Sequence, residues 1–190
     1  MNPAPGDGDV TRLLHAAADG EPAAMDQVVQ DLYQALHHLA AAQLGRERKD
    51  PMLSATVLIN EAWLKLFAGE ALPPLENRGH LLGLAAHAMR QVLIDHARRR
   101  MSAKRPQDQD RMQLTEVADS LGAEVEPDLL EGALDRLAAL DPRQARIVDM
   151  RFFAGLTGEQ IAAATGLSTA TVQREWRMAR AWLRRELAVD

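Results

Sequence analysis

Cysteine is missing from this chain altogether, which excludes disulfides and thiolate metal sites and suits a reducing compartment. Aromatic residues are scarce at 4%, and β-branched runs are absent, so little in the composition favours a sheet. No uninterrupted apolar stretch reaches the roughly 18 residues of a membrane span, because Asp, Arg or His breaks each candidate. The opening MNPAPGDGDV has neither a basic nor an apolar region, so no secretory signal is expected, and a cytoplasmic location is. No phosphate-cradling glycine loop, dinucleotide fingerprint or nucleophile elbow occurs, so nothing points to a cofactor or to catalysis. His80 and His87 share a helix face, but two ligands do not make a metal site.

What is present is a helix-forming alphabet: Leu, Ala, Arg, Glu and Gln dominate the 190 residues, and an all-α architecture is expected. The formal net charge of -5 hides a segregation. Arg98, Arg99, Arg100, Lys104 and Arg105 form a basic block with no acid among them. The following stretch carries Asp108, Asp110, Glu116, Asp119, Glu124, Glu126, Asp128 and Glu131 against Arg111 alone. The last helix is basic again. Two cationic blocks around an acidic connector describe a two-site binder better than a uniformly acidic enzyme.

Periodicity divides the chain accordingly. Residues 1–9, rich in Pro, Gly and Asp, read as disordered. Residues 10–105 read as a first helical unit, 106–127 as a flexible acidic linker, and 128–190 as a second helical unit. Within the first, helices are expected at 10–18, 22–44, 54–67 and 80–102, with a polar break at 45–51 and a proline-containing loop at 69–79. Helix 54–67 is expected to carry Val57, Leu58, Ala62, Leu64 and Leu66 as its apolar set, with Trp63 and Phe67 as anchors. Within the second, Asp141-Pro142 reads as an N-cap followed by proline in the first turn.

Residues 157–185, TGEQIAAATGLSTATVQREWRMARAWLRR, spell a helix-turn-helix. Thr157 and Gln160 have capping-box spacing, Gly166 supplies the positive φ of a tight turn, and Ser168 is a good N-cap for the next helix. That helix presents Thr169, Thr171, Gln173 and Arg174 near its start, where such motifs meet base edges. Arg177, Arg180, Arg184 and Arg185 follow at helical spacing, available to phosphates. Trp176 and Trp182 are expected as hydrophobic anchors.

The order of these pieces resembles the small two-domain sigma-70 family factors of the extracytoplasmic-function type, which direct bacterial RNA polymerase to promoters. The C-terminal resemblance rests on residues 137–187 and is to region 4. The N-terminal one rests on INEAWLKLF, 59–67, and MRQVLIDHARRRMSAKR, 89–105, which look like regions 2.2 to 2.4. The resemblance implies partners: the polymerase core, through its β′ clamp helices and β flap, and promoter DNA, with no membrane. It implies that Ser168, Thr169, Thr171, Gln173, Arg174, Arg177 and Arg180 serve the −35 duplex. Arg90, Gln91, Asp95, His96, Arg98, Arg99 and Arg100 would engage the −10 element. Leu58, Asn60, Glu61, Leu64 and Lys65 would dock on the clamp. The rival reading is a helix-turn-helix regulator that binds duplex operators on its own.

The sequence departs from the family at one place. Family members usually open the clamp-docking helix with several acids, whereas this chain has Ser54, Ala55, Thr56 and Val57, and only Glu61 keeps a charge. Exposed ion pairs contribute about 0.2–1 kcal/mol each, so losing several weakens polymerase binding appreciably. A phosphate on Thr56 or Ser54 would restore about -1.5 to -2 of charge near a helix N-terminus, where negative charge is favoured. The sequence also resembles a subgroup of these factors associated with Ser/Thr protein kinases. A kinase is therefore an expected partner, and an anti-sigma factor is the other regulator the family offers.

Overall fold

Short polar side chains start most of the helices, each by accepting the amide protons that a first turn leaves without partners. The structure, a computed structural model, describes residues 54–66, 77–103 and 126–188. It also describes Arg12, Ala16, Ala23, Ala24, Gln27, Gln30, Tyr33, His37, Ala40, Val117 and Leu121. The expected disorder of 1–9, the break at 45–51, Phe67, Lys104 and Arg105 lie outside the described residues. Helix α1 spans Ala55–Leu66, with Ser54 Oγ accepting from Val57 N at 3.2 Å. Helix α2 spans Arg78–Ala103, and Asn77 Oδ1 accepts from His80 N at 2.8 Å.

The remaining four helices follow closely on one another. Helix α3, Pro127–Leu140, begins with proline at a position where its missing amide costs nothing. Helix α4, Pro142–Phe152, is capped by Asp141, whose Oδ1 accepts from Arg143 N and Gln144 N at 3.0 Å each. Helix α5, Gly158–Thr165, carries the expected capping box, and helix α6, Thr169–Leu187, is capped by Ser168. Among the described residues every regular element is a helix, so the fold is all-α as the composition required.

These helices share one apolar cluster. Leu58, Ile59 and Ala62 of α1 pack on Ala85, Met89 and Val92 of α2, and the cluster continues through Leu134, Ile147 and Phe153 to Ile161, Val172 and Leu183. Phe152 meets Trp176 edge-on, with ring centroids 4.8 Å apart, and the Arg151 guanidinium lies 4.9 Å from the Trp176 ring centre. Trp176 is thus a core anchor, only 7% exposed. Two residues of the acidic connector join this cluster as well: Val117 and Leu121 are helical and buried, and Leu121 O accepts from Arg184 Nε at 2.8 Å.

One apolar set differs from expectation. Ile59, not Val57 or Leu64, completes the buried stripe of α1, and Val57 and Leu64 stand outward at 38% and 69% exposure. The helical period explains it, because 58, 59 and 62 share one face while 57 and 64 fall together on the other. A second feature concerns α2, which has two covered faces: α1 packs against one, and α3, α4 and α5 pack against the other.

The Asp141 cap gives a direct test. Asp141→Ala should lower unfolding free energy by about 1 kcal/mol in urea titration, while Asp141→Ser, which keeps an acceptor, retains most of it.

Candidate nucleic-acid interface

The helix-turn-helix is assembled by local hydrogen bonds. Gln160 N donates to Thr157 Oγ1 at 3.3 Å while Thr157 N donates to Gln160 Oε1 at 2.8 Å, closing the box. The chain turns at Gly166, whose φ of 70° lies in the left-handed region where a side chain would be strained. Ser168 Oγ then accepts from Thr171 N at 3.1 Å and lies 2.9 Å from Thr171 Oγ1. Both hydroxyls therefore help to shape the first turn of α6.

Period and burial divide α6 lengthwise. Val172, Trp176, Ala179 and Leu183 face the core, whereas Thr169, Gln173, Arg174, Arg177 and Met178 are exposed. Arg174 Nη2 donates to Glu175 Oε1 at 3.0 Å, and Glu175 is itself held by Gln144 Nε2 at 3.1 Å. Arg177 Nε donates to Gln173 O at 3.3 Å, which lays its guanidinium along the outer face. Thr171 and Arg180 are half-buried beside this surface. The result is a polar, cationic strip on a rigid helix, of a form suited to phosphate and base-edge contact.

The second predicted cationic set lies on α2 and is differently placed. Arg99 is exposed, and the side chain of Arg100 lies outside the described residues. Arg90 is only 3% exposed, and its Nη2 donates to Asp135 Oδ1 of α3 at 3.0 Å. His96 is also buried. Gln91 Nε2 lies 3.2 Å from His87 Nε2, and His87 Nδ1 lies 3.2 Å from Asp149 Oδ2 of α4. Arg98 bonds to Asp128 Oδ1 at 2.5 Å and to Glu131 Oε2, both on α3. These carboxylates raise the guanidinium's affinity for its proton still further. The pairing of α2 with Asp128, Glu131, Asp135 and Asp149 was not anticipated from sequence, although Asp128 and Glu131 stood in the acidic stretch and Asp149 is a lone acid within the apolar run of α4.

On α1 the docking set is split. Asn60 and Leu64 are exposed, Glu61 is half-buried, and Leu58 is wholly buried against α2, so Val57 holds the outward place that sequence gave to Leu58. No acid stands in the first turn, Ser54 is the cap, and Thr56 is exposed. Lys65 Nζ donates to Asp95 Oδ2 at 2.9 Å, joining α1 to α2, and Arg98 Nη1 adds a contact to Asp95 Oδ1 at 3.4 Å. Among the described residues no cluster of ligating side chains could hold a metal ion, and no helix is long and apolar enough to cross a membrane.

The hydrogen bond from Lys65 keeps the Asp95 carboxyl below its ordinary value of 3.8, against the opposing effect of partial burial, with Lys65 and Arg98 charge adding to the lowering. A depressed carboxyl contributes stability that is full above its unfolded value and is lost as pH falls through the lower native one. Lys65→Met should therefore raise the Asp95 midpoint in an NMR titration. An unchanged midpoint would show that the bridge does not persist in solution.

Comparison with known proteins agrees with this geometry. No curated protein and no solved structure gives a significant match. The family model described as ECF sigma factor matches residues 7–189, nearly the whole chain. With a capped helix-turn-helix at one end and a basic helix at the other, this chain belongs to the ECF sigma factor family, whose members bind the RNA polymerase core and promoter DNA to start transcription.

Proposed function

We propose that this sigma factor reads its promoter with α6 and α2 and is switched on by phosphorylation at the start of α1. In this reading α6 recognises the −35 element as duplex, with Thr169, Gln173 and Arg174 toward base edges and Arg177 and Arg180 on phosphates. The observation that carries it is the lengthwise division of α6, which leaves those side chains on a face the core does not need. The basic end of α2 engages the −10 element and helps to melt it, offsetting an unstacking cost of a few kcal/mol per base. The outward face of α1 docks on the β′ clamp helices, and the C-terminal unit meets the β flap.

The switch is supported by what the start of α1 lacks and offers. Its first turn carries no acid to meet a basic clamp, and Thr56 is exposed in that turn. Ser54 Oγ is engaged as the cap, so Thr56 is the better phosphate acceptor of the two. A phosphate there would favour the helix N-terminus and supply charge-assisted bonds to the clamp. A Ser/Thr protein kinase is the regulator this reading calls for; an anti-sigma factor would act by a different surface.

Two measurements test it. Binding to core polymerase should tighten by about tenfold or more on kinase treatment of the chain or with Thr56→Glu, as two or three new ion pairs would give. Equal affinity across the forms removes the switch, and no binding by any form removes the sigma reading in favour of an autonomous operator-binding regulator. Arg174→Ala should reduce run-off transcription from a promoter selected with the unaltered factor by roughly fivefold to a hundredfold, the value of one base contact at about 1–3 kcal/mol. Undiminished transcription would take Arg174 out of promoter recognition.

A further inference from the structure

The side of α2 turned to the C-terminal helices carries Gly79, Gly83, His87, Arg90 and Arg98, spaced to share one helix face. Its partners come from three helices. Gly79 lies against the backbone of Ala164 at the end of α5, so closely that a Cβ there would sit 1.5 Å from the Ala164 carbonyl oxygen. Gly83 faces Arg146 and Met150 of α4, at 3.2 and 3.4 Å from a notional Cβ. Beyond these glycines the contacts become ionic: His87 and Arg90 to Asp149, Arg90 to Asp135, and Arg98 to Asp128 and Glu131. Because Arg90 pairs with Asp135 and Arg98 with Asp128, α2 and α3 run antiparallel.

We infer that this interface is an intramolecular latch: in the free chain, carboxylates of α3 and α4 occupy the α2 cations that single-stranded promoter DNA would otherwise take. The inference rests on the −10 role proposed for Arg90 and Arg98, and it adds a closed state in which that role is blocked. Charge complementarity supports it, since Asp128, Glu131, Asp135 and Asp149 lie on the C-terminal side and both guanidinium groups on α2, where Asp95 is an additional, intrahelical partner of Arg98. A phosphate and a carboxylate compete for the same guanidinium donors, so one chain cannot keep these pairs and seat a DNA strand on them.

The latch is also built to open. Arg90 Nε and Asp149 Oδ1 are buried with no hydrogen-bond partner among the described residues. The Arg90–Asp149 approach of 3.5 Å is thus an ion pair without a hydrogen bond. Unsatisfied buried groups weaken a closed form, and exposure returns them to water. Asp135 and Asp128 are themselves exposed, so added salt reaches their pairs. The outer strip of α6 takes no part in the interface, which leaves one DNA surface open while the other is covered.

The chain's lack of cysteine makes the test clean. Ser102 and Ala139, both exposed and near opposite ends of the antiparallel α2–α3 pair, are changed to cysteine and labelled with a donor and an acceptor dye. Two sets of substitutions are compared in this full-length background. Asp128→Asn, Glu131→Gln and Asp135→Asn together remove charge from exposed or half-exposed positions, and Gly79→Ala wedges the backbones apart while favouring the helix that contains it. Energy transfer should be high in the parent at low salt, fall on adding salt, and be lower in both sets at every salt concentration. Circular dichroism equal to the parent's shows that the helices are retained.

Transfer that is identical in parent, triple variant and Gly79→Ala, and insensitive to salt, overturns the latch. Binding of oligo-dT by the same proteins is read separately. A rise of about tenfold in both opened sets supports latch and −10 role together. A fall in transfer with no gain in binding upholds the latch and counts against the −10 assignment alone, so the two ideas fail by different outcomes.

Discussion

A guanidinium held at 3% exposure has to be met by carboxylates, and the packing of α2 on its neighbours is arranged around that requirement. Arg90 takes them from two helices, Asp135 of α3 and Asp149 of α4, so a single side chain fixes three helices relative to one another. His87 shares Asp149, and Arg98 repeats the arrangement two turns further along with Asp128 and Glu131. Such pairs contribute little net stability once desolvation is counted. Stability comes instead from the apolar cluster that runs from Leu58 to Leu183. The ion pairs set register, and the cluster supplies the free energy.

The C-terminal helix-turn-helix is governed by much shorter-range forces. Thr157 and Gln160 fix where α5 begins, and Gly166 and Ser168 fix where it ends and α6 begins, using contacts that span no more than three residues. The core then claims Val172, Trp176, Ala179 and Leu183, and helical geometry sends Gln173, Arg174 and Arg177 outward. The exposed polar strip at this end of the molecule follows from the caps and the period together. At the other end, Arg90 and Arg98 of α2, proposed above for nucleic acid, are held by protein carboxylates of α3 and α4.

Legibility followed the range of the interaction. The boundaries of α4, α5 and α6 were readable because Asp141-Pro142, the capping box and the Gly166-Leu167-Ser168 turn each act within one helical turn. The apolar face of α1 was less so: nearly every residue from Val57 to Leu66 is apolar or adaptable, and Val57 and Leu64 competed with Ile59 for the stripe until α2 settled which side was covered. Leu58 was read as apolar from the period and as part of the docking surface from the family resemblance, and it is buried.

The sequence by itself determined an all-helical chain, the hairpin of α5 and α6, the two basic blocks and the missing acids at the start of α1, because each is a property of neighbouring residues. It left undecided which acids would meet Arg90 and Arg98, and why Gly79 and Gly83 stand where they do. Those partners lie roughly 30 to 85 positions away along the chain and belong to helices whose order in sequence says nothing of their angle in space. Only the folded packing of α2 against α3, α4 and α5 could choose them, since a buried charge selects its counterion by distance, and distance exists only in three dimensions.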